Sequence, residues 1–82
     1  MPYVAQDRRP KLDTVVDSMV EARLLIDGDL NYILFKFCKY WVVPSYNNYK
    51  NFCGELRQCV TEIERRLLAD YEGQKLKENG DV

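Results

Sequence analysis

The sequence predicts an all-α protein, a compact three-helix bundle with a short fourth C-terminal turn or helix. Apolar residues recur at steps of three and four in three successive stretches. Gly28 and Pro44 fall between those stretches, where helices would stop and restart. With 82 residues and 46% hydrophobic content, the chain has the means for one small domain, 1–82, and a core of limited size.

The first helix is expected over about 8–27. Asp7 is placed to cap it, Pro10 is tolerated in its first turn, and Leu12, Val15, Val16, Met19, Val20 and Leu24 form one apolar stripe. Asp13, Asp17, Glu21 and Arg23 take the wet face, and Gly28 suits a left-handed stop. Asp29 then reads as the N-cap of a second helix at about 30–42, with Leu30, Ile33, Leu34, Phe37, Cys38 and Trp41 on its inner face. A strand over Tyr32–Phe37 fits less well, because these apolar residues cluster at helical spacing, although Tyr40-Trp41-Val42-Val43 has β-propensity.

Pro44 ends the second element, since it lacks an N–H and biases Val43 away from helical backbone. Ser45 is a natural N-cap for a third helix at about 46–72, whose stripe is Tyr49, Phe52, Cys53, Leu56, Val60, Ile63 and Leu67, with Cys59 beside it. Gly73 weakens the pattern there. A further turn or helix at 74–79 follows, closed by Asn79-Gly80.

Charge and cysteine usage exclude several classes. Twelve basic and thirteen acidic residues give a net −1, which argues against a duplex-binding surface, although residues 36–66 are locally +3. That segment would suit a local anion site or an ordinary solvated helix face. Three cysteines without a signal-peptide pattern point to a reduced, cytoplasmic protein. The lack of histidine and of any CxxC pair argues against structural zinc, and no cofactor is implied. No apolar run reaches the roughly 20 residues of a membrane span.

The same inventory predicts a protein that is not an enzyme. Without histidine no Ser-His or Cys-His couple can be assembled, and the four glycines are too scattered for a phosphate loop. What remains is a surface for binding. Tyrosines outnumber phenylalanines six to three, which favours half-buried interfaces and pocket walls where the hydroxyl finds a partner. In PSYNNYKNFCG, residues 44–54, some rings serve the core, while Tyr46, Asn47, Lys50 and Asn51 flank a helix start whose N–H groups attract anions. Glu62 and Arg66 are an i,i+4 pair, and Arg65 or Arg66 has the fork geometry for a carboxylate or phosphate; spacing alone does not choose between them.

The ordered set MPY, GDLNY (28–32), PSYxxY (44–49), GxL (54–56), ExxRR (62–66), YExxK (71–75) and ENGDV (78–82) resembles a family of small proteins of unknown function found in phages and in bacterial and archaeal genomes. The resemblance implies a compact helical domain with no assigned activity, often among mobile elements. It draws attention to Asn31, Tyr32, Tyr46, Tyr49, Arg65, Arg66, Tyr71, Glu72, Lys75 and the ENGDV tail; with Lys50 from the start of the third helix, the expected ligand-binding residues are Asn31, Tyr32, Tyr46, Tyr49, Lys50, Arg65, Arg66, Tyr71 and Lys75. Gly73 departs from the family pattern, which favours a helix former there. By analogy the expected function is a homo-oligomer that captures a small anionic ligand such as a nucleotide immune signal. The alternative is a module that docks on and inhibits a host protein.

Overall fold

The structure, a computed structural model, describes residues 4–80. Met1–Tyr3 of the opening arm, and Asp81 and Val82 of the ENGDV tail, lie outside the described residues. Every regular element among the described residues is helical, so the protein is all-α. The chain divides into two units, one running up to Tyr49 and the other from Lys50 onward.

In the first unit, Gln6–Arg8 form a three-ten turn that leads into α1 (Arg9–Glu21). Asp7 lies within that turn and does not cap α1; the N-cap position, Arg8, makes no side-chain cap bond. The backbone holds the entry instead, with the Arg8 N–H donating to the Ala5 carbonyl (3.0 Å) and Arg9 Nε to the Val4 carbonyl (3.1 Å). Thr14 and Ser18 hydroxyls donate to the Pro10 and Thr14 carbonyls, one turn back, so their polar groups are satisfied without leaving the helix.

α1 stops at Glu21, earlier than its apolar spacing predicts. The N–H groups of Ala22 and Arg23 close onto Ser18 and Val20 (3.0 Å each), and Arg23 takes φ 54°. A left-handed residue ends the helix as anticipated for Gly28, but five positions sooner and with a Cβ, at a cost of about 1 kcal/mol relative to glycine. A short non-helical link follows, over residues 22–27. Asp29 is not the N-cap of α2 (Gly28–Trp41); it sits in the first turn, where its carboxylate accepts the Leu25 N–H at 3.0 Å.

Val42 is extended and ends α2 two residues before Pro44, consistent with helices stopping at or before the residue that precedes a proline. Ser45 then caps the next helix as its position predicts: its hydroxyl accepts the Asn48 N–H at 3.0 Å, and its carbonyl accepts the Tyr49 N–H at 3.1 Å. The Asn48 side-chain amide also donates to the Val43 carbonyl at 2.9 Å, which ties the first turn of the helix to the residues before Pro44.

α3 (Tyr46–Ile63) continues into a π turn (Glu64–Leu68) and directly into α4 (Ala69–Asn79). The Ala69 N–H donates to the Glu64 carbonyl five residues earlier, the bond that defines the wider turn. Gly73 therefore does not break the helix. Its neighbours Tyr71, Glu72, Gln74, Lys75 and Leu76 outweigh a single penalty of about 1 kcal/mol. Gly80, with φ 80°, provides the stop.

No described residue is buried. In the first unit Met19, Leu24, Leu30, Ile33, Leu34, Cys38 and Val42 are half-buried, while Leu12, Val15, Val16 and Val20 on α1, and Phe37 and Trp41 on α2, are exposed. In the second unit Phe52 and Leu56 are half-buried, and Val60, Ile63 and Leu67 are exposed. The helical stripes read from the spacing are thus present as faces, with much of each face uncovered.

Candidate binding surfaces

On α2, Tyr32, Lys36 and Tyr40 are spaced four apart and share one face. The Lys36 ammonium lies 5.4 Å from the centroid of each tyrosine ring and donates to the Tyr32 hydroxyl at 3.2 Å. At that distance the ring faces attract the cation, holding a long side chain in one place on an exposed surface. Both rings keep most of their area in water, Tyr32 at 63% and Tyr40 at 76% exposure. Asn31, beside them, is an exposed first-turn residue whose N–H donates to the Asp27 carbonyl.

The start of α3 carries Tyr46 and Tyr49, three apart and both exposed. The anion reading of this helix start is narrowed by the cap. The Asn48 N–H, which an anion would use, already serves Ser45. One asparagine of the PSYNNYKNFCG stretch therefore fixes the helix start, a role the sequence reading missed. The signal was present: Asn48 follows Ser45 by three residues, the spacing of a capping box.

In the second unit, Lys50 lies along an open polar strip with Asn51, Gly54, Glu55, Arg57 and Gln58. Further along, Arg65 and Arg66 both turn to Glu62, at 3.9 and 3.8 Å. These distances are long for hydrogen bonds, so the contacts are chiefly Coulombic. Glu62 Oε2 is shielded from solvent and accepts no hydrogen bond, whereas both guanidinium side chains remain more than half exposed. The structure thus brings the two arginines together through one carboxylate, a residue absent from the expected site. An incoming anion would compete with Glu62 for both forks.

Tyr71 and Lys75 form the third pairing, with the ammonium 5.6 Å from the ring centroid and 3.1 Å from Glu78 Oε2. Lys75 also borders a shallow depression with Glu72, Leu76, Asn79 and Gly80. Of the nine expected ligand residues, Asn31, Tyr32, Tyr46 and Tyr49 belong to the first unit and Lys50, Arg65, Arg66, Tyr71 and Lys75 to the second. Lys36 and Tyr40 were not among them, though the i, i+4, i+8 pattern of Tyr-Lys-Tyr was visible in the sequence.

Among the described residues no three of His, Cys, Asp and Glu come together in a way that could hold a metal ion. No described helix is long and apolar enough to cross a membrane. The described surface carries lysines held beside tyrosine rings, two arginines on one carboxylate, exposed rings and exposed apolar side chains. Neither a curated protein nor a solved structure matches the chain. A family model does match residues 1–82, and the chain belongs to that family, described as a domain of unknown function (DUF6899).

Proposed function

We propose that the protein is a non-enzymatic interaction module of the cytoplasm whose helix faces are completed by docking on another protein surface. One observation carries this reading: the helices have amphipathic spacing, yet no described side chain is buried. A chain of 82 residues has a small core and little net stability to draw on, and an associated protein surface is one source of further cover for these faces.

The exposed rings suit such docking. Phe35 (70%) and Trp41 (77%) are large side chains of the kind that anchor protein interfaces. The test is capture from a host lysate by the wild-type chain and by a Phe35→Ser, Trp41→Ser variant. One defined protein retained by the first and released by the second, with helicity unchanged, supports docking. Equal capture by both would show that these anchors do not bind.

A second reading is favoured by the Tyr32–Lys36–Tyr40 cluster, which presents two aromatic faces beside a held cation. This chemistry suits a nucleotide, with stacking for the base and charge for the phosphate. By analogy with the phage and mobile-element proteins that the motifs resemble, such capture would serve a counter-defence role. Titration calorimetry against a nucleotide panel tests it; heat that disappears in Lys36→Ala would favour this reading over protein docking.

A further inference from the structure

The link between α1 and α2 ends on Asp27, and Asp27 is the one aspartate of the sequence that precedes a glycine. It is the N-cap residue of α2, yet its carboxyl makes no cap bond and the residue is exposed. Its backbone has φ −157° and ψ −111°. At an L-residue, Cβ stands about 120° from the residue's own nitrogen around the Cα–C bond, so a ψ of about −120° eclipses Cβ with the nitrogen that follows. Asp27 is within about 10° of that arrangement, whereas a residue inside an α-helix, with ψ about −42°, is roughly 80° from it.

The nitrogen so placed is unencumbered. Among the described residues none accepts a hydrogen bond from the Gly28 N–H, a first-turn donor of α2. A Cβ added to Gly28 would meet nothing within 4 Å, so the approach to this nitrogen is open. The peptide itself is held. The Asp27 carbonyl accepts the Asn31 N–H at 3.1 Å, and Leu25 is tied twice, its N–H donating to Asp29 Oδ2 (3.0 Å) and its carbonyl accepting the Leu30 N–H (3.3 Å). These bonds keep the Asp27–Gly28 peptide plane in the orientation that sets its nitrogen beside the Asp27 side chain.

We propose that Asp27–Gly28 is a site of spontaneous backbone modification, in which the Gly28 nitrogen closes onto the Asp27 carboxyl and the chain reopens as isoaspartate. In the first step the nitrogen bonds to Cγ of the carboxylic acid, and the carboxyl OH leaves with the amide proton as water, giving a five-membered cyclic imide. In the second, water adds to one of the two imide carbonyls. Breaking the bond from nitrogen to Cγ regenerates aspartate; breaking the bond from nitrogen to the backbone carbonyl carbon leaves the chain running through Cβ. Nothing is oxidised or reduced, and the water lost is regained. The carbonyl that accepted the Asn31 N–H becomes part of a free carboxylate, and the entry to α2 gains one backbone atom. Asn79–Gly80 can close a ring of the same kind, but Asn79 lies inside α4, where the backbone turns the Gly80 nitrogen away.

The test compares the full chain folded in buffer with the same chain unfolded in guanidinium chloride, incubated at one pH and temperature. Isoaspartate is measured by transfer of a labelled methyl group from S-adenosylmethionine with an isoaspartyl carboxyl methyltransferase, and placed by peptide mass spectrometry with electron-transfer fragmentation. Isoaspartate at residue 27 should form about tenfold faster in the folded chain, the effect of holding the two reacting atoms in place. Gly28→Ala should suppress it, because the methyl group crowds the attacking nitrogen while fitting the open space around it. A rate at residue 27 that is no higher folded than unfolded overturns the proposal. So does isoaspartate at residue 27 that persists undiminished in Gly28→Ala.

Discussion

The two units satisfy their apolar residues differently. The first is interrupted by a non-helical link between α1 and α2, and it half-covers seven apolar residues from Met19 to Val42. The second is one uninterrupted helical run, and among its described large apolar residues only Phe52 and Leu56 reach the same degree of cover. A helix gains most of its stability from what packs on its apolar face rather than from propensity. An interrupted segment has residues on both sides of its link to share cover; a single run has no second element of its own to lend any.

The sharpest way to break this comparison is to remove cover from the first unit. Leu34→Ala deletes a half-buried side chain on α2 and should cost about 1–2 kcal/mol, less than a fully buried leucine would. Leu67→Ala, on the exposed face, should cost less, under about 1 kcal/mol. Parallel urea melts separate the two. If Leu67→Ala proves as costly as Leu34→Ala, the distinction between the units fails.

Ser45→Ala probes the hinge where the second helical segment begins. Loss of the hydroxyl leaves the Asn48 N–H without its acceptor, and stability should fall by about 1 kcal/mol. Hydrogen exchange should place the loss at Tyr46–Tyr49. Gly73→Ala tests the straight segment. Nothing in the structure lies within 4 Å of the added Cβ, so helix propensity should raise stability by about 0.5–1 kcal/mol. A loss instead would mean that an associated chain approaches that backbone closely. The smallest effect is expected from Arg23→Gly. It relieves the left-handed strain but loosens the unfolded chain, for a net gain of about 0.5 kcal/mol in a thermal melt.

Much of this architecture was legible in the sequence. Pro44 and Ser45 located the start of α3 because their constraints act on the backbone itself, wherever the rest of the chain lies. Period-3.6 spacing found α1, α2 and α3 for the same reason. It could not find the end of α1, since Arg23 adopts a glycine-like φ without being glycine. Nor could it tell a face from a core: Val15, Val16, Phe37 and Trp41 have core spacing, and spacing is silent on whether another element arrives to cover them. The binding surfaces were half legible. The Glu62–Arg66 pair follows from its four-residue spacing, whereas the sharing of Glu62 with Arg65 and the seating of Lys36 between Tyr32 and Tyr40 depend on side-chain rotamers that spacing does not specify.

The π turn at Glu64–Leu68 has a consequence for how the chain tolerates change in length. An α-helix shortened by one residue rotates everything downstream by about 100°, which would carry Tyr71 and Lys75 to a different side. A π turn already holds one residue more than α geometry needs. Deleting a residue inside Glu64–Leu68 would convert it to ordinary helix and leave the winding on either side continuous. At any other point between Tyr46 and Asn79 the same deletion would turn one half of the helix against the other. In this long segment, the loss of a single residue has one place where it does least harm.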